Sequence, residues 1–161
     1  MRAGIGYDIH RFGADRPLVL GGVQFPGEPG LIGHSDADVV IHAVADAILG
    51  AAALGDIGEH FPDTDPRWKD VDSTKILSKA VRLAAEQRGL APVNLDVNVI
   101  AERPRLGDRK RAMRDRLAGI LGLPFDHVSI KGRTAEGLGP VGREEAIEVQ
   151  AIVLMERTAG F

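Results

Sequence analysis

HSDADVVIHAVADAILGAAAL, residues 34–54, decides the fold. Val39, Val40, Ala43, Ala47 and Ile48 recur at the spacing of one helical face, with Ser35 expected as N-cap and Asp38 at the capping-box position. Upstream, residues 3–12 alternate: Ile5, Tyr7 and Ile9 on one side, Gly4, Gly6, Asp8 and His10 on the other, the period of a half-buried strand. PLVLGGVQF, residues 17–25, reads as two short strands around Gly21-Gly22. Downstream, residues 55–72 have no apolar period and carry Pro62, Pro66 and many carboxylates, so an exposed loop of unusual length is expected. A second helix is expected over Ser73–Arg88 with Gly89 as its stop, then a strand over 93–101 with Val93, Leu95, Val97 and Val99 on one face. A third helix over Asp108–Leu121 and a short strand over His127–Lys131 follow. The glycine-rich turn 132–143 leads into a long strand over Glu145–Arg157, apolar on both faces in its later part. The order predicts a two-layer α+β sandwich in one domain over residues 1–161: a mixed four-stranded sheet plus a small hairpin, with helices on one face. The other face of the last strand is expected to meet another subunit.

Composition narrows the chemistry. With 161 residues, 44% apolar and 27% charged, and no run of 18 apolar positions, the chain predicts a globular domain without a membrane-spanning helix. Cysteine is absent, which removes thiolate metal sites, a Cys nucleophile and disulfides, so any metal must be held by His and carboxylates. The first residues, MRAGIGYDIHRF, lack the apolar core of a signal peptide, and a cytoplasmic location is expected. The net charge of −3 hides an asymmetry: residues 1–72 carry 12 acidic and 5 basic groups, residues 73–161 carry 11 and 15. Seven aromatics and no basic stripe argue against a nucleic-acid partner.

Asp8 and His10, at i and i+2 on one strand, leave the same face roughly 6.6 Å apart at the backbone and can converge on one ion, though such a pair also occurs simply at surfaces. His42, early on the first helix, would complete three ligands for Zn²⁺ with one coordination position open, and Asp38 or Asp46 could hold its second ring nitrogen. His34-Ser35 precede a helix N-terminus where a phosphate could dock, the plain alternative being a cap. Asp56-Ile57-Gly58 and Phe61-Pro62-Asp63-Thr64-Asp65 offer oxygens suited to a polyol, but equally form ordinary turns. Lys131, Arg133, Thr134 and Glu136 precede Gly137, Gly139 and Gly142 in a run that could wrap a diphosphate, with a second cation on Glu136. The basic cluster from Arg103 to Arg116 reads mostly as a solvated helix face, and Arg143 with Glu145 as an ion pair or an anion site.

GYDIHRF (6–12), GLIGHSDADVVIHAVADAILGAAALGDIGEHFPDTDP (30–66) and KGRTAEGLGPVGREEAI (131–147) together resemble the 2-C-methyl-D-erythritol 2,4-cyclodiphosphate synthases of the non-mevalonate isoprenoid pathway, in order along nearly the whole chain. The resemblance implies a homotrimer with three sheets packed around its axis and active sites between subunits. It implies Zn²⁺ on Asp8, His10 and His42, and a second divalent ion, Mg²⁺ or Mn²⁺, near Glu136 and the substrate diphosphate. His34 and Thr134 match transition-state-stabilising positions. Asp8, Ile9, His10, His34, Ser35, Asp56 to Gly58 and Phe61 to Asp65 match positions around the methylerythritol and its phosphate.

A cytidine pocket is implied at Ala101, Glu102, Arg103, Pro104, Arg105, Leu106 and Gly107, with Gly132, Arg133, Thr134, Ala135 and Glu136. Pro140 and Arg143 match a cavity along the trimer axis that in some members is thought to take an isoprenoid diphosphate. Arg133, Ala135 and Pro140 depart from the residues usual at those positions. The implied reaction is attack of a substrate phosphate on its own diphosphate, with CMP leaving. A zinc-dependent phosphoester hydrolase and a non-catalytic sensor of nucleotides or isoprenoid diphosphates are the competing readings.

Overall fold

The computed structural model describes residues 1–158. Its elements are β1 (Arg2–Leu20), β2 (Val23–Leu31), α1 (Val39–Ala52), α2 (Ile57–His60), α3 (Ser73–Arg88), β3 (Leu90–Ile100), α4 (Arg109–Leu121), β4 (Val128–Arg133), α5 (Gly139–Gly142) and β5 (Ala146–Arg157). Gly21 and Gly22, with φ of 60° and 73°, make the two-residue turn between β1 and β2, a backbone that other residues adopt only under strain. The first half of β1 pairs antiparallel with β5 and its second half with β2, giving one mixed sheet in the order β2-β1-β5-β3-β4, with β3 and β4 parallel. A four-stranded sheet with a separate hairpin was the expectation. One long strand, bent by register shifts between Phe12 and Leu18, instead belongs to both pairings.

The contact of α1 with β1 explains the glycines of the first strand. A Cβ on Gly4 or Gly6 would lie 1.9 Å from the carbonyl oxygens of Ala47 and Ala43, so the helix backbone rests directly on the strand. Ile5, Tyr7 and Ile9 consequently face away, exposed by 71%, 53% and 42%, and Ile152 beside Ile5 on β5 is exposed as well. The core lies on the other side, where Leu95, Val97 and Val99 of β3 meet Ile147, Val149, Ala151 and Val153 of β5. A register shift between Pro92 and Asn94 takes Val93 out of the buried row that the alternation assigned it.

α1 is buried nearly all round, beyond the expected stripe, because β1 and β5 lie under it and α3 beside it. Its N-cap is Asp38, not Ser35: the Asp38 carboxylate accepts from the backbone N–H groups of Val40 and Ile41 and also from Gly21 and Gly22, tying the hairpin turn to the helix. Complete burial outweighs those hydrogen bonds and pushes the Asp38 carboxyl up to about 6. α3 runs over the residues expected, with Gly89 left-handed at its C-cap. The region 55–72 is not a bare loop. Asp56 caps α2, Asp65 caps a short turn at Pro66–Trp68, and Phe61 is buried with its ring edge-on to Trp68 at 4.9 Å.

Candidate functional site

Asp8 and His10 leave β1 toward α1, where His42 meets them. Both His10 Nδ1 and His42 Nδ1 stand 3.1 Å from the same oxygen, Asp8 Oδ2, and all three ligating atoms lie within 4.8 Å of one another. Among the described residues this is the one such group of three. Two donors on a tetrahedral zinc at roughly 2.0–2.1 Å stand roughly 3.3 Å apart, so the spacing suits a shared ion. The buried His10 Nδ1 has no hydrogen-bond partner, which is costly for a half-buried imidazole unless its lone pair serves a cation. Burial raises the Asp8 carboxyl, but the two imidazoles with nitrogens 3.1 Å from its Oδ2 outweigh that and hold it at about 2. The donor set, one carboxylate and two imidazoles, therefore fits a divalent metal.

The surroundings correct two expectations. Neither Asp38 nor Asp46 reaches the second nitrogen of His42: Asp38 is occupied by four backbone N–H groups, and Asp46 accepts from the N–H of Ile57. His42 Nε2 instead meets Ser35 Oγ at 2.9 Å and Ser73 Oγ at 3.1 Å. The N-terminus of α1 offers less to a phosphate than expected, since the Asp38 carboxylate already takes the N–H groups of Val40 and Ile41. A cavity of about 220 Å³ opens beside the cluster, walled by His10, His34, Ser35, His42, Ile57, Gly58, Phe61, Asp63, Trp68 and Ile76. His34 Nε2 lies 3.3 Å from the carbonyl of Asp65, and the Arg16 guanidinium gathers the carbonyls of Leu31, Gly33 and Ser35, holding the segment that carries His34. Thr64 and Asp63 are exposed, Pro62 half-buried, and Asp65 pairs with Arg67 at 2.6 Å.

A second cavity, about 320 Å³, sits at the C-terminal ends of the parallel strands β3 and β4, where open sheets commonly receive ligands. Ala101, Glu102, Pro104, Arg105, Leu106, Gly107, Lys110, Gly132, Arg133 and Thr134 line it. Glu102 Oε1 accepts from the N–H groups of Ala135 and Gly137, and Thr134 Oγ1 donates to Glu136 Oε1 at 2.6 Å, so one loop is braced on the other. Glu136 holds a left-handed backbone, φ 52°. Asp8 and Gly132 lie on one row across the sheet, three strand spacings or roughly 14 Å apart, and the two cavities share no lining residue.

Other candidates fall outside both cavities. Lys131 is taken by Asp96 at 2.5 Å, and Arg143 by Glu145 at 2.7 Å. Pro140 and the outward side chain of Ile9 line a third cavity of about 820 Å³ with Arg11, Phe12, Arg103 and Glu144. Not all of the basic cluster is a solvated face: Arg114 stacks on Phe125 and donates to the carbonyls of Val128 and Phe125, and Arg109 donates to that of Gln24. Sequence reading missed Ser73 and Asp36. No periodicity marks a serine at the start of α3 as a neighbour of His42.

Residues 1–156 match the YgbB family. The chain belongs to that family. It is 56% identical over 151 residues, 94% of this chain and 96% of the relative, to the 2-C-methyl-D-erythritol 2,4-cyclodiphosphate synthase of Salinibacter ruber. The bifunctional IspDF of Campylobacter jejuni superposes with a TM-score of 0.93 at 42% identity; the match covers 98% of this chain and 42% of that one. A CDP-bound 2-C-methyl-D-erythritol 2,4-cyclodiphosphate synthase superposes with a TM-score of 0.87 at 39% identity, over 96% of this chain and 100% of that one. For this YgbB-family chain, no helix of the described residues is long and apolar enough to cross a membrane.

Proposed function

We infer that the chain is a lyase that converts 4-diphosphocytidyl-2-C-methyl-D-erythritol 2-phosphate into 2-C-methyl-D-erythritol 2,4-cyclodiphosphate and CMP, in isoprenoid-precursor synthesis. The observation that carries the reading is the convergence of Asp8, His10 and His42 beside a pocket walled by His34 and residues 57–63, in a chain so close to enzymes of that name. The substrate brings its own nucleophile, a phosphate, which suits a site with neither cysteine nor an activated serine. What remains for the protein is to fold a flexible polyanion so that the 2-phosphate lies in line with the β-phosphorus.

Asp8, His10 and His42 would hold zinc, which when bound supplies Lewis-acid neutralisation at phosphate oxygens. His34, fixed over the pocket by Arg16 and Asp65, faces the phosphate as its charge develops. Asp56 to Gly58 and Phe61 to Asp65 enclose the methylerythritol, with the Phe61–Trp68 pair as its dry wall. At the other cavity, Ala101 to Gly107 and Gly132 to Ala135 receive the cytidine, while Thr134 and Glu136 face the diphosphate and its accompanying Mg²⁺ or Mn²⁺.

The two cavities of one chain, roughly 14 Å apart along the sheet, are best joined in an assembly, the metal half of one copy meeting the nucleotide half of the next. A homotrimer packed on its sheets gives the exposed strip of Ile5, Tyr7, Ile9 and Ile152 a cover. The reading is tested by ³¹P NMR of the protein with the cytidine diphosphate substrate and Mg²⁺. Coupled doublets of a cyclic diphosphate and equimolar CMP are expected, lost on chelation and restored by Zn²⁺. An acyclic 2,4-bisphosphate, two uncoupled phosphate monoester signals beside CMP, would mean a hydrolase, and unchanged substrate a binding protein.

A further inference from the structure

The hydrogen-bond donors around His42 can be counted. Ser73 Oγ lies 2.5 Å from Asp36 Oδ1, and the Ser73 N–H is directed at Asp36 Oδ2 at 3.2 Å. A carboxylate only accepts, so the single hydroxyl hydrogen of Ser73 is committed to Asp36. Ser73 Oγ then has only lone pairs left for His42 Nε2, 3.1 Å away. Ser35 Oγ, 2.9 Å from the same nitrogen, takes the N–H of Ala37 and is within 3.1 Å of Ser73 Oγ, to which its own hydrogen can go. With the Ser35 hydrogen on Ser73 Oγ, both neighbours of Nε2 are acceptors, and the ring carries its proton there.

The consequence appears at the other nitrogen. With the proton on Nε2, Nδ1 turns a lone pair toward Asp8 Oδ2 across 3.1 Å, an arrangement favoured by a cation between them, whereas a proton on Nδ1 would donate to Asp8 and compete with metal. Ser73 is fully buried and Ser35 nearly so, hence water does not compete for the relay.

We propose that Asp36 and Ser73 are positioning residues that fix the tautomer of His42 through the chain Asp36–Ser73–Nε2–H, so that its Nδ1 stands ready for a divalent cation. The proposal rests on the reading of Asp8, His10 and His42 as metal ligands, and extends it to two residues that touch neither metal nor substrate. It is a carboxylate acting on a ligating imidazole through one intervening hydroxyl.

Asp36→Asn changes the direction of this chain at almost constant shape. Its amide can donate to Ser73 Oγ in exchange for the weaker Asp38 N–H contact at the same position, which releases the serine hydrogen to Nε2 and moves the ring proton to Nδ1. Zinc affinity, measured by competition with a chromophoric chelator and without reference to turnover, is expected to fall roughly 10- to 100-fold. In metal-free protein at about pH 8, above the ordinary histidine value of roughly 6.5, ¹⁵N NMR of the His42 ring should show Nε2–H in the parent and Nδ1–H in the variant. Ser73→Ala, read the same way, serves if Asp36→Asn does not fold, and should weaken zinc in the same direction. Zinc affinities within about twofold of the parent, with Nε2–H retained in the variant, would overturn the relay and leave the metal site standing. A parent that binds no zinc would remove the metal reading itself, so the two failures are distinguishable.

Discussion

The two cavities differ in how they are built. The metal half stands on β1 and on a helix buried on nearly every side, with its polar groups linked through Ser35, Ser73 and Asp36. The half proposed for the nucleotide stands on loops, 101–107 and 134–138, where Thr134, Glu136 and Leu138 are exposed and Glu102 braces the backbone. A rigid frame sets ligand geometry within tenths of an ångström, as an ion demands, whereas a looser rim suits a flexible diphosphate and a neighbouring subunit. Damage should therefore be catalytic and severe in the first half, and graded in the second.

The largest effect is expected from His42→Ala, which removes one ligand of three: kcat should drop by roughly 10³-fold or more, with zinc content lost in parallel. Retained zinc at full occupancy would break the ligand assignment. Next comes Gly6→Ala. A methyl 1.9 Å from the Ala43 carbonyl must push β1 from α1, costing roughly 3 kcal/mol or more of stability measured by urea unfolding and spreading Asp8 from His42.

The buried frame should also show in the pH dependence of stability. Asp38 titrates at about 6 in the folded chain against an ordinary 3.8, so the folded state binds this proton more tightly. Its stabilisation is complete below about pH 4 and disappears as the pH rises through 6, a loss of roughly 1–3 kcal/mol. Urea midpoints of the parent should fall over that window relative to Asp38→Asn, and a gap that stays constant with pH would mean the carboxylate is ionised throughout. Glu102→Ala is the mildest change. Freed from their shared acceptor, the N–H groups of Ala135 and Gly137 lose register and KM should rise by about tenfold, with the urea midpoint nearly unmoved.

The contrast also explains what residue patterns alone revealed. Local rules located α3 from Ser73 to Arg88 and the hairpin at Gly21-Gly22, because caps and turns are written in adjacent residues. The Asp-x-His spacing on β1 pointed to two candidate ligands, and His42 early on the helix to the third. The cap of α1 went to Asp38 because Ser35 is engaged with His42 and Ser73, a tertiary choice invisible along the chain. For the same reason helical spacing points to Asp38 or Asp46 as the partner of His42, although Asp38 holds four backbone N–H groups and Asp46 holds Ile57, and the long acidic segment hides α2. Polar relays join residues 31 to 37 positions apart, and no periodicity encodes them.

The sharpest experiment mixes two inactive proteins. His42→Ala spoils only the metal half, and a Thr134→Ala/Glu136→Ala double variant only the nucleotide half. Unfolded together at equal amounts and refolded, they should form trimers in which about a quarter of the sites combine two intact halves, and cyclisation should return to about that fraction of the parent rate. No recovery in properly assembled mixed trimers would contradict a site shared between subunits, and would place both halves of the chemistry within a single chain.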